Sequence, residues 1–129
     1  MSNQDRESNT IEILENYFWD ESSLDSYLVT TCHKLRKKPI SEFEIEDLRI
    51  MIGQNIGLKF LFPLAVEKLK EDIFAAGDFY DGELLQAILN VENNFWINNL
   101  ELKVEIENLI LGKEDEMKNN NIKSNNFFK

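Results

Sequence analysis

The side chains best suited to chemistry in this chain are carboxylates gathered in one stretch, Glu71, Asp72, Asp78, Asp81 and Glu83, with Phe79 and Tyr80 set among them. Acids so grouped could ligate a divalent cation, assist a metal-dependent hydrolysis, or face a basic partner. A calcium loop of the EF-hand kind needs oxygen ligands at alternating positions, a central glycine and a closing glutamate. Between Asp72 and Glu83 alanine and aromatic residues occupy those places. Nucleophilic chemistry has less to work with. Cys32 and His33 are the only residues of their types, and neighbours on a helix point about 100° apart, a poor geometry for a cysteine–histidine pair. The glycine-rich phosphate loop, the dinucleotide fingerprint, the Gly-x-Ser-x-Gly elbow and Cys-x-x-Cys are all absent.

Charge distribution favours recognition over catalysis. No Lys or Arg occurs between Lys70 and Lys103, while Glu71, Asp72, Asp78, Asp81, Glu83, Glu92 and Glu101 all do, and the formal net charge of the chain is −10. Such a surface repels nucleic-acid phosphates and anionic membranes, which require cations to replace their counterions. A basic protein is the natural complement. Aromatics flanked by acids on a loop with Gly77 and Gly82 at its ends have the make-up of an interface anchor with an electrostatic rim. Asp72, Asp78, Tyr80, Asp81 and Glu83 are therefore the candidate partner-binding residues. The competing reading is a solvated acidic face, with Phe79 tucked into the core to hold the loop. The basic run Lys34, Arg36, Lys37 and Lys38 reads first as a helix C-terminus opposing the helix dipole, and second as a partner contact.

Positioning such a loop requires a rigid frame, and the apolar spacing predicts an all-α one of about six helices with short loops. Thr10 caps a first helix with Ile11, Leu14 and Phe18 on one face and Ile13 and Tyr17 beside them. Ser22 or Ser23 caps a second, carrying Leu24, Tyr27, Leu28, Thr31, Cys32 and Leu35 inward up to Pro39. A third runs from about Glu44 to Asn55, and Gly57 ends it in a left-handed conformation. A fourth, Phe60 to Leu69, tolerates Pro63 in its first turn. Asp81 caps a fifth with Leu84, Leu85, Ile88 and Leu89. Asn93 or Asn94 caps a last one, with Phe95, Ile97, Leu100, Val104, Ile106, Leu109 and Ile110 on a broad face up to Gly112. Trp19 and Trp96 close the two ends of the array. The expected organisation is a disordered lead at 1–9, a helical domain at 10–112, and a disordered Asn- and Lys-rich tail at 113–129.

A single cysteine forbids an internal disulfide, and its setting reads as a small apolar core position. No basic start with an apolar run opens the chain, and no apolar stretch approaches the roughly 20 residues of a membrane span. The cytoplasm is the expected address, a monomer the favoured state, and no cofactor is implied.

The block from Leu35 to Trp96 resembles the immunity proteins of contact-dependent growth inhibition (CDI) systems, specifically their small all-α group. The likeness is carried by Leu35-Arg36 leading to Pro39-Ile40, by Glu46-Asp47-Leu48-Arg49, by Gln54 with Gly57-Leu58, by Pro63-Leu64-Ala65, by Gly77-Asp78-Phe79-Tyr80-Asp81-Gly82 with Leu84-Leu85, and by Phe95-Trp96. The first helix and the tail have no counterpart in it. The resemblance implies a cytoplasmic antitoxin that binds the C-terminal toxin domain of a CDI effector, often a nuclease, and occludes it without chemistry of its own. Within that frame Arg49 is expected to pair with an acid such as Asp47 or Asp78 and lock the third helix to the loop. The alternatives are an acidic adaptor for a basic helix or ribosomal surface, and a metal-assisted hydrolase.

Overall fold

The computed structural model describes residues 9–19, 26–124 and 127. Their secondary structure is eight α-helices and one 3-10 turn, with a lone bridge between Thr10 and Pro39 in place of any strand. The all-α expectation holds. Helix α1, Ile11–Glu15, starts where the Thr10 hydroxyl accepts the Ile13 N–H and stops after one turn because Asn16 turns left-handed at φ 53°. Asparagine tolerates that region better than most side chains. Phe18 is therefore not on a helical face, and Tyr17 and Phe18 are both exposed. Helix α2, Tyr27–Arg36, is capped by Ser26, whose hydroxyl accepts the Val29 N–H. The caps expected at Ser22 or Ser23, and Leu24, lie outside the described residues. The inward face of α2 is Cys32, His33, Leu35 and Arg36, whereas Tyr27, expected inside, is 87% exposed.

A 3-10 turn at Ile40–Glu42 leads into α3, Ile45–Gly53, where Asp47 accepts the Glu44 N–H and the buried face is Leu48, Met51 and Ile52. Gly57, at φ 64°, joins α3 to α4, Leu58–Glu71; a Cβ there would come within 2.8 Å of Ile11 Cδ1. Both the left-handed backbone and the close approach of α1 require glycine. Because α4 starts earlier than expected, Pro63 falls beyond its first turn. The proline faces solvent, where the backbone carbonyl it leaves without a helical donor can meet water. Helix α5, Glu83–Leu89, buries Leu84, Leu85, Ile88 and Leu89 completely. Helix α3 is the hub, packed most heavily on α5 and also on α4 and α2.

The single last helix expected from the periodicity is broken in two: α6, Asn93–Ile97, and α7, Leu100–Ile110. Asn98 and Asn99 donate their side-chain amides back to the carbonyls of Asn94 and Phe95, and so end α6. The break resets the phase, so Ile106 and Ile110 face the core while Ile97, Leu100 and Val104 face solvent. Trp96 lies at the centre of the core, not at an end, edge-on to Phe62, Phe95 and Phe127 at 5.5, 5.3 and 5.0 Å between ring centroids.

The segment after Gly112 departs from the expected disordered tail. Helix α8, Glu114–Asn119, is followed by a strap, and Met117, Ile122 and Phe127 are all buried in the main core. Gln86 fastens the strap by donating to the Lys123 carbonyl and accepting the Lys123 N–H, each at 2.8 Å. Phe127 packs edge-on to Trp96, and Ile122 lies beside Gly82 at the start of α5. At the opposite end, residues 1–8 of the expected lead lie outside the described residues; the carbonyl of Asn9 accepts the Ile40 N–H.

Candidate functional site

The loop between α4 and α5 is built upward from two carboxylates. Glu83, the first residue of α5 and only 1% exposed, accepts the N–H groups of both Phe79 and Tyr80 on one oxygen, while its other oxygen lies 2.9 Å from Arg49 Nε. Glu46, in the first turn of α3, accepts the Asp78 N–H at 3.2 Å and meets Arg49 at 2.5 and 2.7 Å. Three successive backbone N–H groups thus converge on two carboxylates of the protein itself, the arrangement by which loops elsewhere cradle anions. The guanidinium between the acids holds the Glu46 carboxyl below the usual carboxylate range, and Glu46 in turn raises Arg49.

Gly77 makes this seating possible. A Cβ on it would collide with Glu46 Oε1 and fall 2.9 Å from Glu83 Oε2. Gly82, at φ 85°, turns the chain into α5 in place of the cap expected from Asp81, and its N–H closes the loop onto the Phe74 carbonyl. Asp72 accepts the Phe74 N–H at 3.0 Å, setting the turn at the base of the loop.

The five sequence-predicted residues consequently separate. Asp78, Tyr80 and Asp81 come together on the exposed tip, Asp72 is exposed at the base, and Glu83 is buried beneath the loop as its fastening. Phe79 is not tucked into the core: it is 75% exposed, more than Tyr80, with its ring 5.4 Å from the Arg49 guanidinium carbon. Arg49 does lock α3 to the loop, through Glu46 and Glu83 and not through Asp47 or Asp78. Asp47 pairs with Lys38 at 2.8 Å. Of the basic run, Arg36 is engaged inside the fold, buried against Glu15 at 2.6 Å, the Tyr17 carbonyl and the Trp19 ring, while Lys34 and Lys37 are exposed.

Beside the tip, a groove of about 390 Å³ runs between α2 and α3, walled by Tyr27, Leu28, Asp47, Arg49, Asp78 and Phe79. Tyr27 was missed as a surface residue because its spacing matches the apolar face of α2. On the other side, Tyr80 and Asp81 share a shallow depression with Asn119, Asn120 and Asn121 of the C-terminal segment. Cys32 is buried, and burial pushes its thiol up, away from the reactive thiolate. Among the described residues no group of three or more His, Cys, Asp or Glu side chains is placed to hold a metal ion, and no helix is long and apolar enough to cross a membrane.

No curated protein matches the chain. Residues 13–106, from α1 into α7, match the sequence model of one family, described as CDI immunity proteins.

Proposed function

The chain belongs to the CDI immunity proteins, and from that premise we propose that it binds and neutralises the toxin domain of its cognate CDI effector by occlusion. The observation that carries this reading is the loop itself. Its feet are buried and fastened, while its tip turns Asp78, Tyr80 and Asp81 to solvent in a chain of net charge −10. Asp78, Tyr80 and Asp81, flanked by Asp72, form the contact surface, and Glu83 shapes it from below. A nuclease toxin fits best, because a surface evolved to attract phosphates is basic and would draw this acidic tip onto its own substrate cleft. The encounter belongs in the cytoplasm, and the inhibitor performs no reaction.

Co-expression with the toxin domain of the cognate CDI effector tests the proposal. Cells carrying both should grow while cells carrying the toxin alone arrest, and the purified pair should elute as one complex. Growth arrest that persists although the immunity protein is folded and soluble overturns it.

A further inference from the structure

The groove beside the loop tip presents an unusual set of surfaces together. Tyr27, at 87%, and Phe79, at 75%, are the most exposed aromatic side chains described, and both line it, with Leu28 between helix and solvent at 43%. Isolated exposed apolar residues need no explanation, but two aromatics and a leucine walling one groove mark a docking surface. Its charges say what would dock. Of the acids on its walls, Glu46 is neutralised by Arg49 and Asp47 by Lys38. Among the described residues no cation pairs with Asp78, which is exposed at the rim. Arg49, the cation of the groove wall, is held by Glu46 and Glu83 and covered by the Phe79 ring. The groove therefore offers the unpaired carboxylate of Asp78 beside an open tyrosine face and two apolar walls.

We infer that the groove receives one basic side chain, Lys or Arg, of the bound toxin, an assignment that rests on the neutralising function proposed above. The cationic head pairs with Asp78 and lies over the Tyr27 ring, and the aliphatic stem packs between Leu28 and Phe79. A cation over an aromatic face gains most when it is desolvated, and long basic side chains bury their stems while keeping the charge at a polar rim. A groove of about 390 Å³ is at the small end of ligand-sized pockets and has room for such a side chain.

Binding of the purified toxin domain to four variants tests this. Tyr27→Ala and Asp78→Asn should each weaken the complex by about tenfold, while Tyr27→Phe, which keeps the ring, should stay within about twofold of wild type. The Tyr27→Ala/Asp78→Asn double variant should lose less than the product of the two single losses, because both residues hold the same side chain. Urea midpoints should be unchanged, as both positions are exposed. If wild type binds and Tyr27→Ala binds equally well, the groove assignment is overturned and the neutralising function stands. If wild type does not bind, that function falls and the assignment with it.

Discussion

Arg49 owes its position to two acids, one on its own helix and one at the start of another. Glu46 lies three residues before it, on the same face of α3, and Glu83 comes from α5. Helical spacing alone favours the first over Asp47, which points away from Arg49 two positions back; the second depends on how α3 and α5 pack, which no local pattern reveals. Replacing Arg49 with Met leaves a buried carboxylate without its cation, and should lower unfolding free energy by about 3 kcal/mol, measured from urea midpoints. Gly77→Ala places a methyl group against both carboxylates and should cost about 1–3 kcal/mol by the same measurement. Because Glu46 is held below its ordinary range when folded, its contribution is complete above the unfolded glutamate value and is lost as pH falls through the depressed folded one. Below about pH 4.3, stability should therefore fall less steeply in Glu46→Gln than in wild type.

Helices with sustained apolar spacing were legible in the sequence. Helices α3 and α5 and most of α4 follow from Leu48, Met51 and Ile52, from Leu61 and Leu69, and from Leu84 to Leu89, each a run whose inward face is set locally. Where the chain breaks phase, spacing misleads. Asn16 and the Asn98-Asn99 pair interrupt helices that the apolar period would continue, and so turn Phe18, Ile97, Leu100 and Val104 outward. The C-terminal segment fails for the opposite reason, since Met117, Ile122 and Phe127 are too sparse for any periodic face yet each is buried in the main core. Phe127→Ala should accordingly destabilise the protein by about 3 kcal/mol. The urea midpoint should fall, and the emission of Trp96, against which Phe127 packs edge-on, should shift red.

At the scale of the whole molecule, charge acts before contact. With a net charge of −10, the protein should associate with a basic toxin at a rate that falls as salt rises. Reversing Asp78 and Asp81 to Lys together should slow association by about tenfold or more at low ionic strength and flatten that dependence, as read by stopped-flow fluorescence. The fastening of the loop has a separate consequence for inheritance. Residues 78 to 80 are held through main-chain N–H groups, donated to Glu46 and Glu83, and every amino acid except proline carries that donor. Glu46, Arg49, Gly77 and Glu83 are constrained as a set, whereas the side chains at the tip are free to drift. A lineage could thus rewrite its specificity by point substitutions at Asp78, Phe79, Tyr80 and Asp81 without relearning how to fold.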